Sequence, residues 1–367
     1  MSSLPLWILI IIFAAAGTVV WFAGIQLSKT TSVLDSFLHL GSALGGLIVL
    51  AVATNLPEIA ITVSAAISGN VDVAVGNILG GIALQTVVLV ALDAFGKRGK
   101  GVKPLTYRAA SLTLVLEAIV VIAVLAVVVA GSQLPSTLLF FRLGPAGVLI
   151  AALWVAGLLL VRRAGAGLPW HEDGNAPGSS GHQYAKSNRA SSSRPDGGAG
   201  RSGSVAGDTK MSAGKAGAIF AVSALATLIA GVVLELSGVA ASNQIGLSGI
   251  VFGATILALA TSLPELSTGL QAIKQGDDNL AMSDIFGGNA FLPVLFLIAT
   301  VISGKAVLPS ANATDIYLTA IGILLTLVYV IGLIFRPTRK IAGMGVDSVT
   351  VLCLYLVGIA GLFTIVS

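Results

Sequence analysis

Two short phrases carry the residues best suited to chemistry. Residues 53–60 read ATNLPEIA and residues 260–267 read ATSLPELS, each inside a long apolar run. Both place a proline and a glutamate where hydrocarbon-facing sequence is expected. Pro57 has no N–H, and its ring clashes with the preceding turn, so the Ala53 carbonyl loses its helical donor. Pro264 does the same to Ala260. Carbonyls freed in this way are tolerated in a membrane only when a polar group, water or a cation satisfies them. Glu58 follows directly, with Thr54 four residues earlier on the same helix face and Ala51 a turn further back. Glu265, Thr261 and Ala258 repeat the pattern. Each copy thus supplies a carboxylate, a hydroxyl and loosened carbonyls. These are hard oxygen donors, suited to Na⁺ or Ca²⁺ rather than to soft metals. A charged carboxylate at mid-helix costs about 2.5–3.5 kcal/mol on insertion scales. Two facing glutamates also repel. A bound cation relieves both penalties, and so does protonation.

The phrases belong to a longer repeat. Residues 46–83 fall on 253–290 at a constant offset of 207, with no gap. Gly46, Leu50, Ala51, Ala53, Thr54, Leu56, Pro57 and Glu58 all meet identical partners, as do Ala65, Gly69, Ala74, Ile78, Gly80, Gly81 and Ala83. In the span that follows each phrase, Asn77, Gly81 and Gln85 are spaced by four and line one face. Asp284, Gly288 and Leu292 are their equivalents, which makes Asp284 a third intramembrane acid, with Asn289 near it. The Gly-Gly pairs 80–81 and 287–288 allow helices to approach closely.

The elements that must position these groups are membrane spans. The chain is 56% hydrophobic and 10% charged over 367 residues. Ten apolar runs are long enough to cross a bilayer. Their cores lie near 5–27, 38–68, 72–95, 105–130, 143–161, 214–237, 245–273, 279–303, 313–335 and 346–366. The first lacks a basic start and a cleavage site and reads as a span rather than a signal peptide. With the N-terminus outside and spans alternating, all of the 20 basic residues except Arg142 and Lys305 fall on the inner side. The positive-inside rule then places both termini outside. Residues 164–212, rich in Gly, Ser, Asn and Arg, cannot bury a core and read as a disordered cytoplasmic linker, with His171 and His182 solvated in it. The single cysteine, Cys353, excludes disulfides within the chain.

The expected fold is therefore an all-α membrane protein of ten transmembrane helices. It consists of two inverted five-helix repeats, residues 1–163 and 213–367, with helices two and seven broken. Each half carries its repeat, at about 41–95 and 248–303. Five is an odd number, so the second half enters the membrane upside down, which is a transporter signature with sites near the midplane. Glu117 and Glu235 read as span-end, interfacial acids. Asp93 and Asp315 read as boundary residues, Asp277 and Asp278 as a solvated turn, and His39 as an interfacial cap.

At these residues the chain resembles the cation/calcium exchanger superfamily, the sodium/calcium exchanger type in particular. That family carries two inverted repeats, each with a G-T-S-L-P-E phrase and a G-N-x-x-G-S-N-like phrase. Here they stand as ATNLPE with GNILGG and ATSLPE with SDIFGGNAF. The resemblance implies that Glu58 and Glu265 are central calcium ligands and that Thr54 and Thr261 give oxygens to the same centre. It implies that the Ala51 and Ala258 carbonyls, with Asn55 and Ser262, serve flanking sodium sites. Asn77, Gln85 and Asp284 complete the candidate metal set. The chain departs from the family at Gly81 and Gly288, where serines are usual, at Leu292, and at Asp284, where asparagine is usual. The linker is too short for a calcium-sensing domain.

These readings point to a secondary cation antiporter exchanging Ca²⁺ for Na⁺ or H⁺ in the plasma (inner) membrane, without a cofactor. The alternatives are a Na⁺ or other cation/H⁺ antiporter, a family member that has lost calcium transport, and a passive channel. An enzyme is disfavoured because the spans hold no Ser/His, paired-Asp or His-rich motif. The expected partners are metal cations and the lipid bilayer, with no nucleic acid; the oligomeric state is left open, a monomer among the options.

Overall fold

The structure, a computed structural model, describes residues 4–38, 45–69, 71–97, 99, 101–165, 211–245 and 258–366. Most of the expected linker, His39, and the approach to the second phrase lie outside them. The described chain is almost wholly helical. Helix α1 spans Leu6–Leu38. A π-helical turn, Gly45–Leu50, leads into the short α2, Ala51–Thr54, and then α3, Leu56–Ser68. Helix α4 spans Val71–Phe95 and α5 Leu105–Ala109, followed by α6, Leu112–Ser132, and α7, Pro145–Gly165. The second half holds α8, Ala213–Ile245, α9, Ala258–Thr261, and α10, Leu263–Gln275. Then come α11, Asp278–Phe291, and α12, Leu295–Ser303, joined by a 3-10 turn at Leu292–Val294. Helices α13, Ala313–Phe335, and α14, Val346–Val366, close the chain.

Among the described residues, seven helices are long and apolar enough to cross a membrane, and the bent pair α2–α3 makes an eighth. Two of the ten expected runs fall short for identifiable reasons. Residues 246–257, before α9, lie outside the described residues, and the apolar part of α14, Val346–Leu362, is shorter.

Element lengths repeat. Helices α1 and α8 have 33 residues each, α2 and α9 have 4, and α3 and α10 have 13. Each pair begins at equivalent positions of the sequence offset. Helices α3 and α10 also end alike, on Gly69 and Gly276 at φ +76° and +89°. Only glycine takes that left-handed cap without a Cβ penalty.

Burial sorts the helices. About 78% of the apolar window of α4 and 72% of that of α11–α12 are enclosed, against 28% for α1 and 28% for α8. Helices α1 and α8 lie side by side at the periphery, showing Trp7, Phe22, Val222 and Ile229 outward. Such an apolar exterior matches lipid rather than water.

Helices α1 and α8 touch the two broken segments crosswise. Gly24 of α1 lies against Pro264 and Ser267 of α10, and Gly231 of α8 lies against the Pro57 ring of α3. These glycines are equivalent positions of the two halves. In both cases a Cβ would overlap the neighbour, so the missing side chain sets the closeness of approach.

Loop acids are more structured than expected. Asp278 is buried and paired with Arg108 at 2.5 Å and Lys97 at 3.3 Å, so it is not a solvated turn residue. Asp277 caps α11 by accepting the Leu280 N–H at 2.9 Å. Asp315 completes a capping box with Asn312 at the start of α13. Between α13 and α14 a two-residue turn, Ala342 and Gly343 at φ 52° and 87°, closes a small hairpin. Its strands are β1, Lys340–Ile341, and β2, Met344–Gly345.

The glycine contacts generate a contrast. Gly231→Ala drives a Cβ into a rigid proline ring, whereas Gly24→Ala meets mainly a serine hydroxyl that can rotate. Overpacking of this kind costs about 1–3 kcal/mol. Gly231→Ala is expected to lower the thermal midpoint in detergent more than Gly24→Ala does. Equal midpoints would show that the contact with Pro57 is not tight.

Candidate cation site

Each phrase breaks its helix in the same way. Helix α2 stops at Thr54, Asn55 turns at φ −87° and ψ 15°, and α3 restarts at Leu56. The two pieces meet at a bend of 56°. In the second half α9 stops at Thr261, Ser262 turns at φ −86° and ψ 4°, and α10 restarts at Leu263. The prolines therefore sit in the first turn of a new helix, where an N–H would be surplus and a fixed φ helps. The restart is sealed by Ile59 N–H to Asn55 O and Leu266 N–H to Ser262 O, both at 3.0 Å. Glu58 and Glu265 consequently occupy first turns, where the helix dipole favours negative charge.

Three acids converge. Glu58 is 1% exposed, and Glu265 and Asp284 are fully buried. Glu265 lies within the electrostatic reach of both others, and Thr261 stands beside the Glu58 carboxyl. Asp284 Oδ1 is 3.2 Å from the Thr54 hydroxyl, and its Oδ2 accepts from the Thr268 hydroxyl at 2.6 Å. The Gln85 amide donates to Asn55 Oδ1 at 2.9 Å and to Glu265 Oε1 at 3.2 Å, so it bridges the first break to the second acid.

The positions expected to serve flanking sodium sites differ. Asn55 and Ser262 are buried at the breaks, and the Ser262 hydroxyl has no hydrogen-bond partner. The Ala51 carbonyl is not free. It accepts Asn55 Nδ2 at 2.7 Å and the Asn55 backbone N–H at 3.3 Å, and the Thr54 hydroxyl lies at 3.2 Å. Ala258 opens α9 at the equivalent place. Asn77 is half-buried, and no hydrogen bond among the described residues joins it to the acids. The offset supplies a reason. The residue equivalent to Thr268 is Ile61, which has no hydroxyl to bridge from.

The two glycines where serines were anticipated are not alike. A Cβ at Gly288 would lie 2.6 Å from Asn55 Nδ2, so glycine there makes room for the amide. A Cβ at Gly81 would meet nothing within 4 Å, so that buried position borders open space.

Sequence reading missed several groups. Thr268 is one turn beyond Glu265 on the same face, a spacing that could have found it. Thr86 receives the Asn289 amide at 3.0 Å, a pairing between α4 and α11 that spacing within one helix cannot reveal. Glu117 corrects an expectation. It is fully buried against Ser283 of α11 rather than exposed at a span end, because α6 packs that face onto the enclosed α11. For Glu235 only the helical backbone is described.

The arrangement fits a hard cation. Glu58 Oε1 and Oε2, Glu265 Oε2, Gln85 Oε1 and Ser262 Oγ are buried without hydrogen-bond partners. No Lys, Arg or His is buried among the described residues. Carboxylates in such surroundings are balanced either by a bound cation or by protonation. Several oxygens and several negative charges are what Ca²⁺ takes.

Comparison with known proteins agrees. The sequence profile of the family described as sodium/calcium exchanger protein matches residues 8–162 and 215–364, and the chain belongs to that family. It is 36% identical over 101 residues to the putative antiporter CaxA of Alkalimonas amylolytica, covering 27% of this chain and 32% of that protein. It is 26% identical over 255 residues to inner membrane protein YrbG of Escherichia coli (strain K12), covering 69% of this chain and 66% of that protein. The chain thus spans less than two thirds of either relative. Its fold matches the sodium-calcium exchanger NCX_Mj soaked with 10 mM Na⁺ and zero Ca²⁺, with a TM-score of 0.66 and 16% identity over 97% of this chain and 99% of that one. The same exchanger soaked with 2.5 mM Na⁺ and 10 mM Sr²⁺ matches with a TM-score of 0.63 at 15% identity, again over 97% of this chain and 99% of that one.

Thr268→Val leaves a buried Asp284 oxygen without its donor, at a cost of about 1–3 kcal/mol. Isothermal titration with Ca²⁺ is expected to show binding weakened by about tenfold or more. Unchanged affinity would put Asp284 outside the site.

Proposed function

We propose that this protein is a secondary antiporter that exchanges Ca²⁺ for Na⁺ or H⁺ by alternating access. The observation that carries this reading is the burial of Glu58, Glu265 and Asp284, from two broken helices and α11, with both others within electrostatic reach of Glu265 and no buried base among the described residues. Thr54, Thr261, Asn55, Ser262, Gln85 and the breaks themselves would furnish the remaining oxygens, with Asn77 bordering the path along α4. In this reading the fold is ten spans in two inverted halves, residues 1–163 and 213–367, joined by a cytoplasmic linker, with both termini outside. Equal element lengths in the two halves and the distribution of basic residues support it. The Escherichia coli relative, an inner membrane protein, favours the inner membrane. The putative antiporter relative favours exchange over passive flow.

Helices α1 and α8 are the natural moving pair. They are peripheral, packed on each other, and touch the two prolines through Gly24 and Gly231. Sliding them across the enclosed α4 and α11 would uncover the acids on one side and then the other.

H⁺ as counter-ion has its own support. The Ala51 carbonyl is already hydrogen-bonded, and Gly81 and Gly288 offer no hydroxyl, which weakens two flanking sodium positions. A carboxylate cluster can instead exchange a cation for protons.

Vesicles holding the purified protein are expected to take up ⁴⁵Ca²⁺ when a Na⁺ or pH gradient is imposed, and the gradient that drives uptake names the counter-ion. Glu58→Gln and Glu265→Gln should each abolish it. Uptake that survives both substitutions would remove the proposed site, and gradient-independent flux with single-channel currents would favour a channel.

A further inference from the structure

A second group of buried acids lies away from the central breaks. Asp93 is near the end of α4, eight residues beyond Gln85, about 12 Å along the helix axis. It is 2% exposed, a boundary residue in position but not in burial. Its Oδ1 accepts the Leu105 N–H at 2.7 Å, and its Oδ2 accepts the Gly345 N–H at 2.6 Å and the Ser348 hydroxyl at 3.0 Å. Asp347, in the first turn of α14, is 5% exposed and lies within electrostatic reach of Asp93. Its Oδ1 accepts the Ser348 N–H at 3.0 Å, while its Oδ2 has no donor.

Three hydroxyls surround this pair. The Thr106 hydroxyl stands beside Asp347, and the Tyr329 hydroxyl stands beside Ser348, facing both carboxylates. Thr106 is 1% exposed and Tyr329 is fully buried, and neither oxygen has a hydrogen-bond partner. The third hydroxyl is that of Ser348. The site is shaped as well as polar. A Cβ at Gly332 would lie 2.5 Å from Asp347 Oδ2, and one at Gly345 would overlap Asp347 Oδ1. Neither acid has an ion-pair partner, since the ion pairs among the described residues belong to Asp278.

A tyrosine and a threonine without partners, next to an orphan carboxylate oxygen, are unusual in a buried cluster. Buried polar atoms are nearly always satisfied. Two neighbouring carboxylates without a base carry an uncompensated charge whenever both are ionised. A hard divalent cation answers both conditions, because it takes carboxylate and hydroxyl oxygens together and balances the charge.

We propose that Asp93, Asp347, Thr106, Ser348 and Tyr329 form a second cation site of the Ca²⁺ class, distinct from the transport centre. It joins α4, which carries Gln85, to α5, α13 and α14. Occupancy ties the end of a site helix to the hairpin that precedes α14, so the ion braces the bundle on the side bearing Lys97, Lys103 and Arg336.

The test uses the full chain in detergent or nanodiscs, with Glu58→Gln and Glu265→Gln combined to silence the central site. Isothermal titration with Ca²⁺ should still find one bound ion, and adding Asp347→Asn should weaken it at least tenfold. Tb³⁺ in place of Ca²⁺ should give luminescence on tyrosine excitation, and Tyr329→Phe should remove most of it. Tyr329→Phe deletes one unbonded hydroxyl and preserves packing, so it reads the site even if Asp347→Asn does not fold. The proposal is overturned by a double variant that binds no Ca²⁺, by affinity untouched by Asp347→Asn, or by Tb³⁺ emission unchanged in Tyr329→Phe. Because Glu58 and Glu265 are already neutralised, and Asp347 and Tyr329 lie outside the central site, the result stands apart from the transport measurement. Failure of either proposal leaves the other readable.

Discussion

Uncompensated negative charge in an apolar interior is the constraint on which the rest of this structure depends. Glu58, Glu265 and Asp284 are enclosed by helices that bury no lysine, arginine or histidine among the described residues. Desolvating even one carboxylate without a partner costs several kcal/mol. A bound cation or protonation relieves that cost. Hydrogen bonds from Thr54, Thr268 and Gln85 hold the acids in place without neutralising them. The charge remains available to a cation.

The helix breaks are the means of bringing that charge together. A continuous helix would bury its backbone polar groups in its own hydrogen bonds and offer the site side chains alone. Pro57 and Pro264 stop and restart the helix around Asn55 and Ser262. The breaks turn the chain, present first-turn glutamates, and leave polar atoms of Ser262 and Gln85 unpaired nearby. The broken segments then need close cover, because exposed backbone polarity is not tolerated in lipid. Gly24 and Gly231 supply it by letting α1 and α8 come down onto the prolines of the opposite half. Without a Cβ at those points there is little interlocking of side chains.

Much of this was legible from residue type and spacing. The proline-glutamate phrases, their offset repeat, and the alignment of Asp284 with Gly288 marked the site helices and most of the polar groups on them. The breaks fall at Asn55 and Ser262, one or two residues from where proline chemistry puts them. What stayed hidden has a common cause. Thr268 touching Asp284, Asn289 touching Thr86, and Glu117 against Ser283 are contacts, or become meaningful, only once separate helices are packed. Periodicity reports which face of a helix a residue shares, not which neighbour that face meets. Glu117 looked interfacial because it stands near the start of its span, yet its face is turned to α11. Asp278 looked solvated because acids in short loops usually are, yet Arg108 and Lys97 close over it.

The sequence by itself determined the solvent of the fold, the places where helices break, and the oxygen chemistry of the site. Hydropathy, proline sterics and the carboxylate, hydroxyl and amide groups are local properties that neighbours along the chain fix. Tertiary packing alone decided which acids lie together, that Gly288 makes room for Asn55 while Gly81 borders open space, and that Asp93 and Asp347 share one buried cluster. Those outcomes depend on distances between helices far apart in sequence, and such distances are set by the closeness of packing rather than by any one segment.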